Sequence, residues 1–308
     1  MRHHFKVFLI IAALFSAQNS FSQSLDGDRL WKHLEYLASD EMKGRESGTK
    51  ENLLARDYIV AQFEEMGLDS QYPDFIQEFR FTDRRSQKSI EGYNVVAFVP
   101  GTESKKIIVV TAHFDHVGIG RPNAQGDSIY NGSDDNASGT AALIEMARYF
   151  SENPPQHSML FAALDAEEKG LQGARALVQD FPFELEQVLL NVNMDMISRN
   201  DKNEIYVSGT HYYPEYKEIL EESALGSNAK LIFGHDIPGT GSDDWTRSSD
   251  HGAFFEEKVP HLYFGVEDHE DYHQPSDEVR QKDKGFFLDV AELILNSLKN
   301  IDQKGSNL

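Results

Sequence analysis

Short apolar runs alternate with amphipathic stretches along almost the whole chain. The runs at residues 107–111, 159–164, 188–194, 205–208, 230–233 and 259–264 are largely apolar, as expected of strands covered on both faces. Residues 75–80 and 93–98 add two further strand-like segments. Among them, residues 28–37, 50–66, 139–150, 171–179, 214–224 and 286–298 carry apolar positions at helical spacing. Within 50–66, Leu54, Tyr58, Ile59, Phe63 and Met66 are expected to share a core-facing side, and Gly67 supplies the stop. Strands and helices taking turns predict an α/β fold with a mostly parallel central sheet flanked by helices on both faces. Such sheets bind ligands at the carboxyl ends of their strands. No repeat, low-complexity segment or Pro/Gly/Ser linker divides residues 24–308, which are expected to form a single domain.

Residues 1–23 depart from this pattern. A basic start (Arg2, Lys6), an apolar stretch at 7–15 and small polar residues up to Ser22 read as a secretory signal peptide cleaved near Gln23. The stretch is too short and too quickly polar for a membrane span. The 308 residues include no cysteine, so neither a lipoprotein anchor nor a disulfide framework is expected. The mature protein is therefore expected in the periplasm or outside the cell, with no stable membrane anchor. The formal net charge is −22 and becomes more negative when Arg2 and Lys6 leave with the leader. A surface this acidic argues against nucleic acid as a partner.

Polar residues of one chemical kind stand where the predicted strands end. They fall in TAHFDH from Thr111, NGSDDNASG from Asn131, LDAEEKG from Leu164, NMD from Asn193 and YHQPSDE from Tyr272. His113, Asp134, Glu168, Asp195 and His273 supply two imidazoles and three carboxylates, the N/O ligand set that zinc takes when thiols are absent. In HFD, His113 and Asp115 are two apart and point the same way on an extended segment, so Asp115 is expected to fix the imidazole through its second N–H; His116 is left out of the ligand set. Asp134 is expected to bridge two cations, with Asp135 and Asn136 serving as turn and helix-cap residues and Ser138 sharing the capping. Glu167 and Glu168 are adjacent and should diverge, Glu168 toward metal and Glu167 toward proton transfer. Asp195 would share the metal of His113, and His273 that of Glu168. Three carboxylates and one hydroxide balance two zinc ions, so two Zn2+ per chain are expected.

The ordered set HxD, DDNASG, EE, NMD and YHQPSD resembles the co-catalytic zinc aminopeptidases, relatives of bacterial leucyl aminopeptidases and glutamate carboxypeptidase among the clan MH metallopeptidases. The resemblance covers nearly all of residues 24–308, beginning at LASDEMKGRESGTKEN. It implies a phosphorylase/hydrolase-like fold, with one zinc on His113, Asp134 and Asp195 and another on Asp134, Glu168 and His273. It also implies Glu167 as general base, a cis peptide from Asp134 to Asp135, and Tyr272 polarising the substrate carbonyl. Asp250 and His251 in SSDHGAF would shape the pocket wall, and a zinc-bridging water deprotonated by Glu167 would attack the peptide bond. Substrates would be peptides with a free N-terminus, and no oligomer is required. A glutaminyl cyclase, a carboxypeptidase or dipeptidase on the same fold, and a non-catalytic metal-binding module are the alternatives. Specificity is left to loops such as 234–247.

Overall fold

The computed structural model describes residues 24–305; the expected signal peptide lies outside them. One sheet runs through the molecule, formed by β1 (Asp69–Ser70), β2 (Ile76–Thr82), β3 (Ser89–Val99), β4 (Ser104–His113), β5 (His157–Leu164), β6 (Val188–Met194), β7 (Glu204–Ser208), β8 (Lys230–Phe233) and β9 (His261–Gly265). Its spatial order is β1-β3-β5-β4-β6-β9-β7-β8, with β2 also paired to β3. The central strands β5, β4, β6 and β9 are mutually parallel, as are β7 and β8. Strands β1, β2 and β3, and the β9–β7 pairing, are antiparallel. The predicted parallel centre and flanking helices are present.

The central strands are largely apolar because they are covered on both faces. Ile108, Val110 and Ala112 of β4 join the larger core layer, while Ile107 and Val109 join the smaller one. Helices α1 (Gly27–Leu37), α2 (Lys50–Glu65), α3 (Gly139–Glu152), α5 (Lys217–Ser223) and α7 (Lys284–Lys304) contribute to the larger layer. Helices α4 (Gln172–Gln179) and α6 (His251–Glu256) contribute to the smaller. One expected core face is corrected: on α2 the buried side runs through Asn52, Ala55, Ile59 and Phe63, and Leu54 is 44% exposed. The reason is polar. Asn52 turns inward to donate to Asp165 Oδ1 (3.0 Å) and the Arg45 carbonyl (3.1 Å), which rotates Leu54 toward solvent.

Because β5, β4, β6 and β9 are parallel neighbours, the loops leaving Leu164, His113, Met194 and Gly265 gather at one sheet edge. No helix among the described residues is long and apolar enough to cross a membrane.

Candidate active site

His113 closes β4 and Asp195 follows β6, and the two strands pair directly. His113 Nε2 lies 3.2 Å from Asp195 Oδ1. Across the β4–β5 pairing, the chain turns at Ala166 through a left-handed φ of 61° and presents Glu167 and Glu168. His273, itself at φ 52°, reaches Glu168 Oε1 at 3.0 Å from the loop after β9. The pairings expected from sequence, His113 with Asp195 and Glu168 with His273, are therefore both present.

The residue standing between them is Asp135 and not Asp134. Asp135 Oδ1 lies 3.4 Å from His113 Nε2, and its Oδ2 lies 3.1 Å from His273 Nε2 and 3.5 Å from His116 Nδ1. Asp134 turns the other way: Oδ1 accepts from the Ser198 N–H (2.6 Å) and hydroxyl (2.8 Å), and Oδ2 faces His269 Nε2 at 3.0 Å. Consecutive side chains in this turn diverge, so only one can face the strand ends, and the neighbours of Asp134 hold it outside. The cis peptide follows the same correction, falling at Asp135–Asn136. The capping expected of Asn136 is present, its Oδ1 accepting the Gly139 N–H at 2.9 Å.

His116, left out of the ligand set on sequence, belongs with the cluster. Its Nδ1 is 2.9 Å from Glu168 Oε1. The donor atoms form two groups, His113, Asp135 and Asp195, and His116, Asp135, Glu168 and His273, each with its atoms within 4.8 Å of one another. His116 is fully buried, yet neither ring nitrogen has a hydrogen-bond partner. A buried imidazole close to carboxylates but unaligned with them fits convergence on a common cation, since buried polar atoms otherwise find partners. Imidazole and carboxylate donors alone match zinc.

Surrounding residues fix these donors. Asp115 does not hold His113 as expected: the imidazole Nδ1 meets the Asp115 carbonyl oxygen at 3.1 Å, with the carboxylate 3.6 Å away. That carboxylate instead accepts the Glu167 N–H (3.0 Å), the Glu168 N–H (3.4 Å) and the Ser47 hydroxyl (3.1 Å). Asp277, from the same YHQPSDE run as His273, accepts the backbone N–H groups of Asp134 and Asp135. Arg45 is wholly buried and donates to the carbonyls of Phe114, Leu37, Asn131 and Gly132, which ties the HFDH and GSDD turns together. Gly132 is required at φ 58°, because a Cβ there would stand 2.2 Å from the Asp135 carbonyl oxygen and 2.5 Å from the His116 ring. Sequence reasoning missed Arg45 and Asp277 as supports, although GR in the opening segment and PSD after the last histidine were the available signals.

The carboxylates feel one another strongly. Burial pushes Glu167 well above the usual carboxylate range, with His113 opposing and Glu168, Asp195 and Asp250 adding. Its carboxylate makes no hydrogen bond or ion pair with another described residue, which leaves it free for proton transfer. The Tyr272 hydroxyl is likewise free, and burial, aided by Asp135 and Glu168, keeps it protonated. Asp250 and His251 stand behind the pocket wall. Asp250 is buried with neither oxygen hydrogen-bonded, and burial pushes it up to about 8; His251 stacks on Tyr263, which does line the pocket, at 4.5 Å. Ser249, in the same motif, donates to Asp195 Oδ2 at 2.7 Å.

A cavity of about 300 Å3 opens beside Glu167, Asp135 and Asp195, walled by Trp245, Tyr263 and Tyr272. Trp245 and Ser242 come from the loop that sequence reasoning assigned to specificity.

The model of Peptidase family M28 matches residues 94–298, more than half of the chain, and the chain belongs to that family. An alkaline phosphatase isozyme conversion protein of Escherichia coli is 32% identical over 191 residues, covering 59% of this chain and 54% of that protein. Aminopeptidase YwaD of Bacillus subtilis is 29% identical over 197 residues, covering 61% and 39%. The chain spans about half the length of the curated relatives it matches. Among solved structures, a Zn-dependent exopeptidase from Parabacteroides distasonis has the same fold, with a TM-score of 0.73 at 15% identity over 91% of this chain and 99% of that one. A glutaminyl cyclase from Bacteroides thetaiotaomicron also shares it, with a TM-score of 0.72 at 17% identity over 90% and 99%.

Proposed function

We propose that this protein is a zinc-dependent aminopeptidase that removes residues from the free N-termini of peptides. Two Zn2+ would be held, one by His113, Asp135 and Asp195, the other by Asp135, Glu168 and His273 with His116 beside them. When bound, such ions supply Lewis acidity and lower the pKa of water. Glu167 takes the proton of the attacking water and later hands it to the departing nitrogen. Tyr272 donates its hydroxyl to the oxygen of the scissile carbonyl as charge develops there. Asp115 acts at one remove, holding the backbone of both glutamates.

The observation carrying the aminopeptidase reading is the charge of the cavity beside Glu167. Beyond Asp135 and Asp195, whose charge the metals would offset, and Glu167, it is lined by Asp268 and by no lysine or arginine among the described residues. An ammonium terminus is attracted there, whereas a carboxypeptidase needs a cation to receive the terminal carboxylate. The leader at residues 1–23 would direct the protein to the periplasm or the exterior.

The test is digestion of one peptide set with free, N-acetylated or C-amidated ends, read by mass spectrometry. Stepwise loss from free N-termini, blocked by acetylation, is the expected result. Cleavage blocked by amidation alone would make it a carboxypeptidase, and loss of ammonia from N-terminal glutamine a cyclase.

A further inference from the structure

A second depression, of about 580 Å3, shares no lining residue with the acidic cavity. Glu168 and His273, from the donor cluster, line it together with Arg84, Arg85 and Lys169. Its three acidic groups are already engaged. Glu168 faces His116 and His273; Glu46 pairs with Lys169 at 2.6 Å; Asp83 accepts the backbone N–H groups of Arg85 (3.2 Å) and Ser86 (2.9 Å). The side chains of Arg84 and Arg85 make no ion pair or hydrogen bond with any described residue. With Glu46 paired to Lys169 and Glu168 turned to the imidazoles, Arg84 and Arg85 against the one carboxylate of Asp83 leave this part of the groove with an excess of one positive charge, in a chain whose net charge is −22.

These arginines are carried on an ordered support. They sit in the turn between β2 and β3, closed by the Asp83 N–H on the Lys88 carbonyl (2.9 Å) and the Gln87 N–H on the Asp83 carbonyl (2.8 Å). The hydrogen bonds from Ser86, with those of the turn backbone, hold Asp83 as a carboxylate at about 2. The acid that starts the turn therefore directs its oxygens to its own backbone and makes no ion pair with the arginines beside it.

We propose that this groove receives the leaving part of the substrate and that Arg84 and Arg85 bind a carboxylate there, giving the enzyme a preference for peptides with a negative charge shortly after the scissile bond. The inference rests on the aminopeptidase reading, which places the ammonium end in the acidic cavity. A bond cleaved beside Glu167 then sends the remaining residues past Glu168 and His273 into the basic groove. The carboxylate has two possible sources, the free C-terminus of a short peptide or an aspartate or glutamate just after the cleaved bond. Guanidinium suits either, because its planar fork matches carboxylate geometry.

The experiment compares kcat/KM on Leu-Ala-Ala, Leu-Ala-Ala-Ala, their C-amides, and amidated Leu-Asp-Ala and Leu-Ala-Asp, using the zinc-loaded full chain and the double variants Arg84→Ala/Arg85→Ala and Arg84→Glu/Arg85→Glu. Two exposed guanidinium groups should favour the carboxylate-bearing peptides by roughly threefold to thirtyfold, mainly through KM. The preference should shrink in about 0.5 M salt, where screening is short-ranged. With each rate taken relative to that of amidated Leu-Ala-Ala cleaved by the same protein, it should fall close to one in the alanine variant and reverse in the glutamate variant. Preference for the free tripeptide over its amide identifies the C-terminus as the source, and preference for the amidated aspartate peptides identifies the side chain. Equal rates on neutral and acidic peptides, or a preference that survives both variants, would overturn the proposal and leave the aminopeptidase reading standing. Failure to trim any of the peptides from its N-terminus would instead overturn that reading, and this proposal with it.

Discussion

Exchanging Asp134 or Asp135 for asparagine separates two residues that sequence alone left in the wrong order. Asp135 is the carboxylate common to both donor groups, with oxygens 3.1 to 3.5 Å from three imidazoles. Asparagine keeps its size and removes the anion, so each group loses a donor at once. Loss of even an outer partner of a metal ligand costs about tenfold to hundredfold in affinity, so Asp135→Asn should weaken zinc binding by at least that much at both positions. Asp134 is committed elsewhere, to the Ser198 N–H and hydroxyl and to His269. Asparagine can still accept from Ser198 but loses the charge facing His269, a change worth roughly 1–3 kcal/mol of stability. The assay is zinc per chain after dialysis against buffered free zinc, with melting curves in the same solutions. Asp135→Asn should be depleted of zinc where the parent is saturated, whereas Asp134→Asn should hold parental zinc and melt a few degrees lower. The reverse outcome, with Asp134→Asn losing zinc and Asp135→Asn keeping it, would refute the assignment.

Glu167→Gln should retain zinc yet lose roughly a hundredfold to ten-thousandfold in kcat, the range for a lost general base; equal zinc loss in Glu167→Gln and His113→Ala would break the division of roles. Chelation should lower the melting temperature as well as abolish activity, because the clustered carboxylates then repel; an unchanged melt after verified metal removal counts against the site. Arg45→Met should cost roughly 3 kcal/mol or more, since the buried carbonyls of Leu37, Phe114, Asn131 and Gly132 lose their donor; denaturant unfolding measures it. His261 is buried with neither ring nitrogen hydrogen-bonded, and burial lowers its pKa to about 4. The unfolded chain takes up that proton near pH 6.5 and the folded one resists until about 4, so stability should fall by about 3 kcal/mol as pH drops through this window. His261→Phe should flatten that part of the profile, and an identical pH dependence in both proteins would contradict it.

What the sequence made legible follows from how locally each feature is encoded. The central strands were readable because burial on both faces leaves them almost purely apolar, and their parallel pairing placed the strand-end acids and histidines together. The two-residue β1 and the six-residue α6 carry no pattern long enough to show a period. His113, Glu168, Asp195 and His273 were readable for the same reason as the strands: each sits at or just beyond a strand end or inside a distinct loop motif. Asp134 and Asp135 were not separable, because two adjacent acids in one turn differ only in which way each side chain points. That direction is decided by partners far along the chain, Asp277 holding the backbone and Ser198 and His269 drawing Asp134 outward. His116 escaped for a related reason: its role depends on Glu168 and Asp135 reaching it from other loops, and spacing within HFDH does not encode that. The pattern of ligand types was thus local information, while the choice between neighbouring candidates was tertiary. The same distinction sets the order of experiments: the Asp134/Asp135 pair tests long-range positioning, and Glu167→Gln tests the chemistry that the motif itself announces.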